Sequence, residues 1–253
     1  MEMTEKAYRI MHFDSIDSTS AEAKRQILSG NYDTMLYVAR TQTGGMGRLG
    51  RSFASPYDNG VYMTLAYYTE WDMQTAVSIT SAAAVVVRNC LYRHTNKKTE
   101  IKWVNDLYYK GKKVCGILCQ TLPSVNSQKG MFVMVGIGIN LGYSEFPMEL
   151  SEIAGSLQSD CDRDALILDI ADGLLGHAKN PDDRSYMRDY REYSMVLGKD
   201  VICTRADESY TARVLAICDD GALLLQLQDG SNIILDSGEV SLRLSPKSAV
   251  NGS

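Results

Sequence analysis

The chain has 253 residues, 45% hydrophobic and 23% charged, which suits one large domain or a domain with a small appendage and lacks any disordered bias. Its formal charge of −5 speaks against a broad nucleic-acid footprint, leaving room only for local basic patches. No run approaches the ~18 apolar residues a membrane span needs, and MEMTEKAYRI lacks a basic region followed by an apolar one, so a cytoplasmic protein without membrane or export segments is expected.

YRIMHFDSI reads as a strand running into a helix start, where Thr19-Ser-Ala-Glu22 forms a capping-box pattern and Gly30-Asn31 stops the helix after Leu28. TMLYVARTQT is a strand that delivers the chain to the glycine-rich TQTGGMGRLGR, and GVYMTLAYYT from Gly60 is a second strand. Residues 73–94 are the longest helical candidate, and the block AVSITSAAAVVV is apolar nearly all round, so this helix should be buried. EIKWVNDLYY, KVCGILCQT and MFVMVGIGINLG read as strands, with a turn at Lys110-Gly111-Lys112. Residues 164–178 and 181–195 read as helices, with Pro181 in a first helical turn and Tyr186, Tyr190 and Tyr193 at helical spacing.

Past Leu197 the texture changes to short strands, KDVICTR, YTARVLAI, ALLLQLQ, NIILDS and VSLRL, punctuated by Asp219-Asp220-Gly221 and Asp229-Gly230. Such spacing predicts a small all-β barrel or sandwich of roughly fifty residues. The expected division is therefore 1–196 and 197–253, with a frayed tail after Pro246. The cysteines Cys90, Cys115, Cys119, Cys161, Cys203 and Cys218 contain no C-x-x-C pair, and His12, His94 and His177 are scattered. Reduced, mostly buried thiols are expected rather than disulfides or a zinc site.

Gly45-Met-Gly47-Arg-Leu-Gly50 is a literal G-x-G-x-x-G, with Glu70 at about the offset of a dinucleotide fingerprint. That fingerprint works only where the glycines open directly into a helix facing the pyrophosphate. Here Pro56 and the Asp58-Asn59-Gly60 turn leave no room for one before the next strand. What the loop does carry is Arg48 and Arg51, planar cations suited to phosphate, among glycines that permit close backbone approach. A plain glycine-rich surface loop is the competing reading.

KWVNDLYYKGKKVCGILCQ adds Lys102, Lys110, Lys112 and Lys113 around Asn105 and Asp106, although solvated turn lysines and a core Trp103 would look alike. In Val135-Gly-Ile-Gly-Ile-Asn140, glycines inside a strand indicate close approach of a ligand or a neighbouring backbone. Asn140 there is a turn former or a ligand contact. Together these elements point to an anionic, phosphate-bearing ligand, with Arg48, Lys102 and Lys113 placed to neutralise charge developing in phosphoryl or nucleotidyl transfer. No G-x-x-x-x-G-K-[ST] loop, hydrolase elbow or kinase set is present. From the residues alone, the reading stops at a nucleotide-using transferase or ligase.

The order of the motifs resembles the biotin–protein ligases (biotin–[acetyl-CoA-carboxylase] ligases). Asp14-Ser-Ile-Asp17-Ser18-Thr19-Ser20 is similar to the family's DSTN-type opening, TQTGGMGRLGRSFASP to its GRGRxGRxWxSP loop, and KWVNDL to its KWPNDL. Lys113-Val-Cys-Gly116-Ile-Leu matches K-x-x-G-I-L, GIGINLG matches the G-x-G-I-N strand, and FPMELSEIAGSL is similar to the segment that follows it. The resemblance implies an α/β fold, a mixed sheet with packed helices related to class II aminoacyl-tRNA synthetases, plus a C-terminal SH3-like barrel. It implies a two-step reaction: biotin and Mg-ATP give biotinyl-5′-AMP, and the biotinyl group then passes to a lysine of a biotin carboxyl carrier domain.

On that mapping Ser18, Thr19, Gln42, Gly45, Met46, Arg48, Lys113 and Gly116 bind biotin. Arg48, Arg51, Phe53, Lys102, Asn105 and Asn140 bind ATP, and Arg48, Lys113 and Asp106 are catalytic. Mg2+ is held through ATP phosphates without direct protein ligands. Met46 replaces a common second arginine, Phe53 the usual Trp, and Val104 the Pro of KWPND. About thirteen residues precede the opening motif, too few for the winged helix-turn-helix some members carry, so a ligase without DNA binding, monomeric or homodimeric, is expected. Lipoate–protein ligase and a non-catalytic biotin- or lipoyl-binding relative are the alternatives.

Overall fold

The computed structural model describes residues 7–47, 50–51, 53–56, 58–124, 130–142, 146, 148–205, 208–236 and 241–244. Arg48, within the glycine loop, and the tail after Pro246 lie outside the described residues.

Alternating and continuous apolar runs build a seven-stranded mixed sheet from β1 (Arg9–Phe13), β2 (Met35–Ala39), β3 (Gly60–Thr69), β4 (Glu100–Lys102), β5 (Asp106–Tyr109), β6 (Lys112–Pro123) and β7 (Met131–Asn140). Its order is β1-β2-β3-β7-β6-β5-β4. β1 and β2 run parallel, and every other neighbouring pair is antiparallel.

Side chains on a strand alternate between faces, and both faces of this sheet are covered. Met35 and Tyr37 of β2 join Ala23 and Ile27 of α1 (Thr19–Leu28) in one core. Leu36 and Val38 face a larger core shared with α2 (Met73–Thr95) and α4 (Arg163–Ala178). α2 packs against α4 and α5 (Tyr186–Glu192), and α3 (Met148–Ser151) is one turn in the segment after β7. The apolar block of α2 is buried as its composition predicts, including Ile79, Ala83, Ala84 and Val87. Fully burying such an aliphatic side chain contributes about 1.5–3 kcal/mol for a Val or Ile.

The five C-terminal strands form their own antiparallel sheet, β8 (Asp200–Arg205), β9 (Glu208–Ile217), β10 (Leu223–Leu227), β11 (Asn232–Leu235) and β12 (Ser241–Leu244), ordered β11-β10-β9-β8-β12. All six thiols are free, as expected, but only Cys90, Cys115 and Cys203 are fully buried.

Four expectations about local structure need correction. The cap of α1 is Ser18, one residue earlier than the capping-box pattern places it; its side chain accepts a hydrogen bond from Ala21 N. The 181–195 helix shrinks to α5, and Pro181 lies outside it. There the Asp183 carboxylate accepts from Ser185 N at 2.8 Å, a local turn that competes with helix formation. α4 begins at Arg163, because Asp162 caps it by accepting from Ala165 N at 3.0 Å. EIKWVNDLYY is not one strand but the hairpin β4–β5, reversing at residues 103–105.

Candidate active site

The main cavity, about 780 Å³, lies beyond the N-terminus of α1, over the middle strands of the large sheet. Its floor exists because three strand positions have no side chain. Gly116 of β6 and Gly138 of β7 are direct cross-strand partners. A Cβ on Gly136 would meet Ser20 Oγ at 2.5 Å, and one on Gly138 would meet the Phe53 ring at 2.5 Å. The glycines of GIGIN thus admit the start of α1 at one point and an aromatic ring at the next.

At one end of the cavity the walls are neutral and hydrogen-bonding. Gln42 Oε1 accepts from the Thr19 backbone at 2.8 Å and from Thr19 Oγ1 at 3.1 Å, while Gln42 Nε2 donates to Ser55 Oγ at 3.0 Å. The hydroxyls of Thr19 and Ser20 both meet Thr64 Oγ1, at 2.9 and 3.0 Å. This network fixes the first turn of α1 against β3, with Ser18, Thr19, Ser20 and Thr64 all buried. Outside it, Arg25 grips Asp17 with two 2.8 Å hydrogen bonds, and the Asp17 carboxylate accepts from Ser18 N at 2.7 Å. The guanidinium and that backbone bond hold the Asp17 carboxyl down at about 2.

The described part of the glycine loop folds back on itself. Phe53 N donates to Gly45 O at 2.9 Å and Gly47 N to Arg51 O at 2.6 Å, with Gly50 at φ +72°. Gly45 must be glycine here, since a Cβ would sit 2.5 Å from Phe53 O. Behind the loop, Asp58 lies between Arg40 and Arg163, whose hydrogen bonds hold its carboxyl down at about 2.

The other end of the cavity is charged. Lys113 Nζ lies 2.7 Å from Asp106 Oδ1, and Lys102 Nζ donates to the Tyr108 hydroxyl at 3.3 Å. Burial first, and then the Asp106 charge, pushes the Tyr108 phenol up to about 12, so it is neutral at ordinary pH. Asn105 is buried, its side-chain amide donating to Ile117 O. The segment after β7 forms the remaining wall, where Lys113 N donates to Ile153 O and Gly155 N to Lys113 O, both at 2.9 Å.

The fold therefore gathers residues from motifs far apart in the sequence around one space. Ser18, Thr19, Gln42, Met46, Arg51 and Phe53 line it from one half of the sequence. Lys102, Asn105, Asp106, Lys113, Gly116 and Asn140 line it from the other. Gly45 shapes the loop without lining the cavity, and the amide of Asn140 is used to hold Gly155 O at 3.0 Å. Sequence reading missed Ser20, Thr64 and Tyr108, and the apolar wall of Phe146, Leu150 and Ile153. A lone threonine inside the apolar run VYMTLAYY was the available signal for Thr64.

Residues 12–140 match the biotin/lipoate A/B protein ligase family, and residues 196–243 match the biotin protein ligase C-terminal domain. The chain belongs to the biotin/lipoate A/B protein ligase family. The bifunctional ligase/repressor BirA of Bacillus spizizenii is 30% identical over 233 residues, covering 87% of this chain and 70% of the relative. The biotin–[acetyl-CoA-carboxylase] ligase of Paracoccus denitrificans is 35% identical over 128 residues, 49% of this chain and 51% of its own. Among solved structures, the biotin protein ligase of Aquifex aeolicus in complex with biotin and ATP superposes with a TM-score of 0.75 at 26% identity, covering 94% of this chain and 99% of that one. The α/β class and mixed sheet expected from the sequence are those of these ligases.

Proposed function

We propose that the chain is an ATP-dependent biotin–[acetyl-CoA-carboxylase] ligase that forms biotinyl-5′-AMP and transfers the biotinyl group to a lysine of a carrier domain. One observation carries the reading: a single cavity joins a neutral amide-and-hydroxyl end at Thr19 and Gln42 to a cationic end at Lys102 and Lys113. The neutral end suits a ureido ring, which carries both donors and an acceptor. The cationic end suits a carboxylate meeting a triphosphate. At about 780 Å³ the space is of the size that holds a small ligand with most of its surface buried.

In the first step a biotin carboxylate oxygen attacks the α-phosphorus of ATP, the bond to the bridging oxygen breaks, and pyrophosphate leaves with the electron pair. Negative charge gathers between the two substrates, and Lys102 and Lys113, which line the cavity, would neutralise it. On the sequence resemblance Arg48 joins them from the loop. In the second step a neutral lysine amine of the acceptor attacks the acyl carbonyl of the mixed anhydride, AMP leaves, and the amine loses its proton. Asp106, the carboxylate lining the cavity among the described residues, would orient that amine.

Mg2+ binds through few carboxylates and mainly through substrate phosphates in nucleotide sites. A single Asp106 beside two lysines fits an ion carried in on ATP, which would supply charge neutralisation at the phosphates. The net charge of −5 supports ligase activity without a broad nucleic-acid role. Pyrophosphate release with Mg-ATP and either biotin or lipoate tests the proposal. Release with biotin supports it, and release with lipoate alone overturns the substrate assignment.

A further inference from the structure

Trp103 stands between the charged Lys102 and the Asn105–Asp106 pair, lines the cavity, and is 6% exposed. Its indole nitrogen is a donor with no acceptor capacity, so burying it requires a partner. That partner is in the turn between β9 and β10: Trp103 Nε1 donates to Gly221 O at 2.8 Å, 118 residues along the chain. The carbonyl is held firmly, because the β9–β10 turn is closed by Gly221 N to Cys218 O at 3.0 Å and Cys218 N to Ala222 O at 2.8 Å. The Asp220 carboxylate adds a bond from Ala222 N at 2.9 Å. Gly221 itself is at φ +90°, which an L side chain rarely adopts.

Two consecutive residues of α5 brace the same junction. The Tyr190 hydroxyl donates to Val104 O at 2.9 Å, in the interior, so it holds the residue beside Trp103. Arg191 turns the other way, donating from Nε to Ile217 O at 2.8 Å and pairing through Nη2 with Asp219. The reversal between β4 and β5 is thus held from behind by α5 and by the β9–β10 turn, while its other side presents Lys102, Asn105 and Asp106 to the cavity.

We propose that the C-terminal sheet is a working part of the active site, with Trp103 as the positioning residue through which the β9–β10 turn sets the reversal that carries Lys102 and Asp106. The proposal rests on the ligase reading. A phenylalanine would fill most of the space of the indole ring, so the nitrogen is the group of this side chain that bonds to the β9–β10 turn. The neutral end of the cavity, built on α1, β3 and Gln42, has no part in this junction, so nucleotide and biotin handling should respond differently to its loosening.

The test uses the full chain with Trp103→Phe, Arg191→Met and the double variant, measuring biotin-dependent pyrophosphate release, ATP KM, kcat, biotin affinity and Tm. At a temperature where all are folded, each single variant should lose about tenfold in kcat/KM for ATP, since small misplacements of positioned groups are costly. Biotin affinity should stay within about twofold, and the double variant should lose little more than the singles, because both open one contact. Parent-like kcat and ATP KM in Trp103→Phe, whatever its Tm, would overturn the proposal. So would losses that add up and fall equally on biotin, the mark of general loosening. An inactive parent chain would instead strike the ligase reading, before any variant is compared.

Discussion

Lys113→Met separates what the Lys113–Asp106 pair does for stability from what it does for chemistry. The ion pair is 2.7 Å long, but its side chains are 34% and 24% exposed, so solvent screens it. A pair of this kind contributes about 1 kcal/mol or less, which in a chain of this size moves Tm by only about 2–4 °C per kcal/mol. The methionine keeps most of the stem that packs over Gly116, and it leaves Asp106 in partial contact with water. If Lys113 faces the reacting carboxylate and α-phosphate, its loss removes one fixed cation from the developing charge. That is worth about 2.7–4 kcal/mol, or 10²–10³ in rate. Single-turnover pyrophosphate release with saturating biotin and Mg-ATP, beside a thermal melt, reads both quantities. Adenylation should fall by at least two orders of magnitude while Tm shifts by a few degrees. A rate within about threefold of the parent would remove Lys113 from the reaction.

Gly116→Ala should produce a milder version of the same defect, because the new Cβ would lie 3.2 Å from Lys113 Cε and Nζ and push the ammonium off its mark; a fall of about tenfold in single-turnover pyrophosphate release is expected. Thr64→Val removes the hydroxyl shared by Thr19 and Ser20, and should cost about 1–3 kcal/mol in denaturant unfolding. It should also weaken biotin binding, while parent-like biotin affinity would detach that network from the ligand. Asp58 has a folded-state pKa depressed to about 2 by Arg40 and Arg163, so its contribution is complete above the unfolded value of about 3.9 and is lost as pH falls towards about 2. Asp58→Asn should therefore flatten the acid limb of the stability curve in that window and leave neutral pH less affected by further titration. An unchanged acid limb would show that the two arginines do not select the ionised form.

The strands were legible because their signal is local. Period-two alternation and turn residues mark β3, β6, β7 and all five C-terminal strands within a residue or two, whereas β2 ends at Ala39, four residues before the end of TMLYVARTQT. EIKWVNDLYY failed that reading because β-prone residues flank a short Asn105-Asp106 break, and what fixes the reversal is tertiary: the hydrogen bonds that Trp103 and Val104 make to Gly221 and Tyr190. Pro181 misled because a helix-start signal says nothing about the competing bond from Ser185 N to Asp183. Motif residues found the cavity, since Gln42, Lys102 and Lys113 stand out by charge or context. Thr64, Ser20 and Tyr108 did not stand out. Each is ordinary in its own element, and its role arises only where β3, α1 and β5 are brought face to face. Asn140 shows the converse, a polar strand end that the sequence left between turn former and ligand contact. Its amide anchors Gly155 O, and through it the wall of the cavity.

The most direct measurement is the intact mass of a biotin carrier domain incubated with the purified chain, Mg-ATP and biotin, followed by mapping of the modified residue. Biotin activation and transfer predict the gain of one biotinyl group on a single lysine, dependent on both ATP and biotin. No mass gain with biotin, or a gain only when lipoate replaces it, would contradict the assignment.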